Sequence, residues 1–186
     1  ISSKQARAEE ILALTFTDKA ALEMEERVDL LVPYGYVDVG VKTFHAFGDQ
    51  LLRDHAPDAG LSRHVRVLSR GEQLVMLRQH VFDLPLARYR PLSDPTRYVE
   101  ALAATFSRAK DEAIGPEELL RYAEGLGRQA QDTPGDQALH GSAERTRELA
   151  NSYMAYQRLL RQMGAVDFGD QILLAVQLLE RHPEVL

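Results

Sequence analysis

Thr15-Phe16-Thr17-Asp18-Lys19 gathers two hydroxyls, an aromatic ring, a carboxylate and an ammonium in one short stretch. Thr43-Phe44-His45 repeats a hydroxyl and a ring and adds an imidazole. Hydroxyls and an ammonium bind phosphate oxygens, and a ring can stack a nucleobase for about 1–3 kcal/mol. Together these groups suit a single-stranded nucleic acid. They equally suit an ordinary strand–turn–helix with Phe16 in the core.

The elements around them sharpen the first reading. Ile11 to Phe16 is a short apolar run ending in β-branched and aromatic residues, as in a buried strand. From Asp18 a helix follows, with Ala20, Ala21, Met24, Val28 and Leu31 on one face and Thr17 as its N-cap. It runs to about Val32 and stops at Pro33, before a loop at Tyr34-Gly35-Tyr36. Val37, Val39 and Val41 alternate with Asp38, Gly40 and Lys42, which predicts a second strand ending at Thr43 and a helix from Phe44 to about Asp54. Both clusters therefore stand where a strand ends and a helix begins. A helix N-terminus offers free N–H groups and partial positive charge, and open α/β sheets bind ligands at such ends. Two of them side by side on a parallel sheet would form a ledge for a nucleic-acid backbone.

The rest of the pattern is helical. Ile1–Glu10 is polar and reads as a helix, and His55 to Val65 as a loop. Ser69-Arg70-Gly71-Glu72 is a capping box opening a helix through about Phe82. After a loop over Asp83 to Pro91, Ser93 or Asp94 caps a helix with Pro95 early in it, running through Tyr98, Leu102 and Phe106 to about Glu112. Gly115-Pro116 starts a shorter helix to about Glu124, and Gly127 to Gly141 reads as the least structured stretch. A long helix follows from about Ser142 to Met163, with Leu149, Tyr153, Tyr156, Leu160 and Met163 along one stripe. Gly164 ends it, and Asp167 caps a last helix, Phe168 to Glu180, with Ile172, Val176 and Leu179 inward. The fold class is mostly α with a small parallel β portion, a helical subdomain being inserted in an α/β body.

Thr15 to Met24 resembles motif Ia of the UvrD/Rep/PcrA-type superfamily 1 DNA helicases. Thr43-Phe44-His45-Ala46-Phe47 resembles their next motif, in the expected order and at the expected distance. Lys110-Asp111-Glu112 and Val166-Asp167-Phe168 stand where that family has similar residues. The resemblance implies that residues 1–56 and 165–186 belong to an incomplete RecA-like (P-loop NTPase) motor domain, 1A, and residues 57–164 to its helical insertion, 1B. It implies a fragment of an ATP-dependent 3′-to-5′ helicase that translocates on single-stranded DNA and unwinds duplex in replication or repair, in the bacterial cytoplasm at the nucleoid. Its partners would be single strands, single/double-strand junctions and the remaining motor domains of the parent. Thr15, Phe16, Thr17, Lys19, Thr43, Phe44 and His45 would contact the tracking strand, and Lys110 would reach phosphate or duplex. The family commonly has asparagine where this chain has Asp18, and a carboxylate repels phosphate. A helicase-nuclease subunit shares these motifs. A non-enzymatic helical interaction module is the alternative of another class.

The motor chemistry itself is missing. A phosphate-cradling loop needs a lysine after glycine, and Lys4, Lys19, Lys42 and Lys110 follow Ser3, Asp18, Val41 and Ala109. Glu9-Glu10, Glu25-Glu26, Asp111-Glu112 and Glu117-Glu118 lie in polar or helical surroundings, unlike a magnesium-holding pair at the end of an apolar strand. ATP and magnesium therefore belong to the parent and no cofactor to this stretch, which is expected neither to hydrolyse ATP nor to unwind DNA. Net charge is −6, yet Ser62 to Lys110 carries +5 and the remainder −11, so a basic face is possible within an acidic chain. Absence of cysteine excludes disulfides and fits a cytosolic protein. No apolar run approaches a membrane span, and ISSKQARAEE reads as the middle of a protein rather than a signal peptide. The remaining histidines have no metal spacing.

Overall fold

Two pairs of parallel strands organise the chain, each strand leading directly into a helix. The computed structural model describes residues 6–31, 39–89, 94 and 97–185. The first half of the Ile1–Glu10 segment, Val32 and the Pro33 stop, the Tyr34–Tyr36 loop, Val37, Asp38, Pro91, Ser93 and Pro95 lie outside them. β1 (Leu12–Thr15) leads to α1 (Asp18–Leu31), and β2 (Gly40–Thr43) to α2 (Phe44–Asp54). β1 and β2 pair in parallel with Thr15 opposite Thr43. β3 (Arg66–Leu68) leads to α3 (Arg70–Gln79), and after α4 (Val99–Asp111), α5 (Pro116–Asp132) and α6 (Gln137–Gln162) the chain returns as β4 (Ala165–Asp167) and α7 (Phe168–Arg181). β3 and β4 pair in parallel from Arg66↔Ala165 to Leu68↔Asp167.

Helix starts are capped where the local residues demand it. Thr17 Oγ1 accepts from the Ala20 amide at 3.1 Å and Thr43 Oγ1 from the Ala46 amide at 3.1 Å. Ser69 and Glu72 form the predicted capping box. Gly164, at φ +60°, closes α6.

The main core lies among the helices. Phe106 is stacked between Tyr153 and Tyr156, with centroids 5.2 and 5.0 Å away. Leu68, Met76, Leu77, Val81, Leu102 and Leu160 are buried around them. A smaller cluster of Leu52, Ala175 and Leu178 joins α2 to α7. There Gly48 lets the helices approach closely: a Cβ on it would stand 2.8 Å from the Gln171 carbonyl oxygen. α1 buries no residue.

Several expectations are corrected. The segment after Val65 is not wholly helical, because Arg66–Leu68 finds a strand partner far along the chain. α5 continues to Asp132 and α6 begins at Gln137, so most of Gly127–Gly141 is helical. Ala123 and Ala130 on α5, with Ala143 and Ala150 on α6, are buried, and these small residues let the two helices pack closely enough to override the glycines. α4 starts at Val99 rather than near Asp94, and of Ile1–Glu10 only Ala8–Glu10 is described as helical, as a single 3-10 turn. α7 buries Asp170, Gln171, Leu173, Ala175 and Leu178, leaving Val176 exposed. Its inward face is set by Asp170 and Gln171, polar residues that apolar periodicity does not register.

Candidate nucleic-acid interface

The two helix starts expected to act together are adjacent. Thr15 and Thr43 face each other at the ends of β1 and β2, and each strand delivers a phenylalanine to the next position. Phe16 is 86% exposed and Phe44 38% exposed, with ring centroids 5.0 Å apart and planes tilted by 42°. Phe16 is therefore not a core residue. Thr17 is exposed, whereas Thr43 is buried; both hydroxyl oxygens accept a capping amide and each retains its own proton to donate. The Lys19 side chain is 87% exposed and its ammonium lies 4.0 Å from Glu23, a pair too solvated to hold it against a phosphate. Asp18 is exposed in the first turn of α1, where its charge suits the helix dipole.

The line of rings extends beyond the first sheet. His45, the second residue of α2, meets Phe168, the first of α7, edge-to-face at 6.0 Å. Phe168 is 53% exposed. The close approach at Gly48 brings these two helix N-termini together. Phe16 with Phe44 and His45 with Phe168 thus form two ring pairs, linked by the peptide between Phe44 and His45 at the start of α2. The sequence reading gave Phe168 no role. The signal was available: β4-Asp167-Phe168 repeats the plan of β2-Thr43-Phe44, with strand, capping residue and phenylalanine in order.

Lys110 stands elsewhere. Its side chain is 0% exposed, and its ammonium lies 2.6 Å from Asp167 and 2.8 Å from Asp170. The Tyr156 ring centroid is 5.1 Å away. Asp167 also accepts from the Tyr156 hydroxyl at 2.5 Å and the Gln73 amide at 3.0 Å, and Asp170 accepts from Gln157 at 2.8 Å. A phosphate contact by Lys110 is ruled out by this burial. Burial pushes the Asp167 carboxyl up, but the Lys110 charge and the hydrogen bonds from Lys110, Tyr156 and the Asp170 amide together hold it below its ordinary value. Burial, aided by the Asp167 charge, outweighs the pull of Lys110 at Asp170 and raises that carboxyl. Burial first, then the neighbouring Asp167 charge, pushes the Tyr156 hydroxyl up, so it stays a donor.

Several arginines of the basic segment are already engaged within the chain. Arg66 pairs with Glu72, Arg88 with Glu144 and Arg108 with Glu112, and Arg97 lies over the Tyr98 ring. Arg70 remains near the rings, lining with Ser107, Phe168 and Gly169 a dent of about 70 Å³. Among the described residues no three His, Asp or Glu side chains gather to hold a metal ion, and no helix is long and apolar enough to cross a membrane.

Residues 1–186 match the profile of the UvrD/REP helicase N-terminal domain. The ATP-dependent DNA helicase PcrA of Bacillus subtilis is 30% identical over 177 residues, 95% of this chain and 21% of that protein. PcrA of Leuconostoc citreum is 30% identical over 178 residues, covering 95% and 20%. PcrA of Staphylococcus aureus is 27% identical over 186 residues, covering 100% and 22%. The chain spans about a fifth of the length of these relatives.

Proposed function

This chain belongs to the UvrD/REP helicase N-terminal domain family, and from that premise we propose that it is the strand-gripping part of an ATP-dependent DNA helicase. The observation that carries the reading is the two exposed ring pairs, Phe16 with Phe44 and His45 with Phe168, at strand ends that are also helix N-termini. Bases stack on the rings, while Thr15, Thr17, Lys19 and the first-turn amides of α1 and α2 hold the phosphates. Movement of the parent's motor domains carries the strand along this ledge in the 3′-to-5′ sense and separates the duplex ahead of it, in replication or repair.

Residues 1–56 and 165–186 form part of motor domain 1A, and residues 57–164 the helical subdomain 1B. The uncovered side of α1, with Leu22, Leu30 and Leu31 exposed, is where the remaining motor strands pack. The sequence holds no phosphate-cradling loop, since no lysine follows a glycine. The nucleotide and magnesium are held by other parts of the parent, and the isolated chain hydrolyses no ATP.

Fluorescence anisotropy with single-stranded DNA across a salt series tests the reading. The expected result is binding that weakens steeply with salt, and weakens a further tenfold or so in a Phe16→Ala/His45→Ala variant. Salt-insensitive binding, or a double variant that binds like the unsubstituted chain, would overturn it.

A further inference from the structure

We infer that Lys110 is a positioning residue for the ledge: its buried ammonium, clamped between Asp167 and Asp170, fixes where Phe168 stands beside His45. The inference rests on the strand-gripping reading above.

Phe168 needs such a device. Its ring is more than half exposed, so packing alone does not hold it, and its place is set by the backbone where β4 turns into α7. The two carboxylates that flank this turn, Asp167 and Asp170, cap it reciprocally: each accepts the other's amide at 3.0 Å. Both are then tied to one atom, the Lys110 ammonium. The next residue, Gly169, lies directly on the lysine stem, where a Cβ would meet Lys110 Cδ at 2.7 Å and Lys110 Cβ at 3.0 Å. Gln73 of α3 and Tyr156 and Gln157 of α6 supply the remaining donors. The turn bearing Phe168 is therefore held by three helices at once through one buried charge. A buried ion cluster adds little net stability over an apolar core of equal volume. What it provides is a single geometry, here the 6.0 Å edge contact between Phe168 and His45.

The test is a double-mutant cycle on the full chain, read by affinity for an oligothymidylate. Phe168→Ala is expected to weaken binding about tenfold. Lys110→Met is expected to weaken it by a similar factor, and the double variant no further than Phe168→Ala alone. The salt slope of Lys110→Met should equal that of the unsubstituted chain, because Lys110 meets no phosphate. Losses that multiply, a salt slope reduced by about one, or a folded Lys110→Met chain with undiminished affinity each overturn the inference. Where Lys110→Met does not fold, Tyr156→Phe, which removes only the hydroxyl on Asp167, carries the same cycle with the same criteria. The His45 ring-proton resonances, shifted by the Phe168 edge, give a readout without DNA. Tyr156→Phe is expected to move them, and unmoved resonances overturn the inference. A chain that binds no DNA but whose His45 resonances move defeats the strand-gripping reading and supports the positioning role.

Discussion

The two small sheets follow one plan and are stabilised in different ways. In each, a parallel strand runs into a capped helix whose first turn is presented at the strand end. At β1–β2 the caps are neutral hydroxyls and α1 buries nothing. At β3–β4 every residue of β4 is buried, and while α3 keeps a hydroxyl cap, Ser69, the cap of α7 is a carboxylate joined to a buried lysine. Parallel sheets are ordinarily covered on both faces. The first sheet thus leaves more of its surface exposed than the second. An exposed ring on the first can adapt to a ligand; an exposed ring on the second is held to one position.

Removing a cation from each region breaks the comparison most severely. Lys110→Met leaves two buried carboxylates without their counter-ion and is expected to cost about 3–5 kcal/mol, whereas Lys19→Met should stay within about 0.5 kcal/mol. Urea unfolding of the two variants measures both. Equal costs would mean that the buried cluster is not the anchor described. Next in size is Gly48→Ala, which sets a methyl against a main-chain oxygen that cannot rotate away. It is expected to cost about 1–3 kcal/mol and to part His45 from Phe168, visible in the His45 ring resonances.

Acidity probes the second sheet more gently. The Asp170 carboxyl is raised in the folded state, so the folded form binds more protons between the ordinary aspartate value and that raised value. Its contribution is therefore recovered as pH falls from neutral. Asp167 is lowered, so its contribution is lost as pH falls further, through the ordinary aspartate value and below. Stability should first rise and then fall on acidification, and Asp170→Asn should abolish the rise; urea midpoints across pH measure this. Smallest is Gly127→Ala in α5. Nothing lies within 4 Å of the added methyl, and a helix interior prefers alanine, so a gain of about 0.5–1 kcal/mol is expected in thermal unfolding.

What could be read from the sequence was local. Thr17, Ser69 and Asp167 announce helix starts through contacts three residues away and cap as predicted, and Thr43, read as the end of a strand, caps in the same way. Phe106, Tyr153 and Tyr156 stand at helical spacing and form the core. What escaped depends on distant partners. Arg66–Leu68 is too short to register as a strand until Ala165–Asp167 is known to lie beside it. Gly127 to Gly141 reads as the least structured stretch because the alanine-lined seam between α5 and α6 cannot be seen from either helix alone. Lys110 read as a solvent-facing cation, since a lysine is buried only with acids, and its acids come from another element. The tyrosines offered a hint, because a buried hydroxyl requires an acceptor.

The pairing of Arg66 with Ala165 has a consequence for how the molecule can change over time. It draws together the ends of a segment of roughly a hundred residues, and closing a loop that long costs only about 0.6 kcal/mol more for each doubling of its length. Lineages could therefore lengthen, shorten or replace the outer α5–α6 hairpin at little energetic penalty, provided the strands at its root, the tyrosines and the lysine remain. Variation in this part of the chain should accumulate at the Thr133–Asp136 tip and thin out towards β3 and β4.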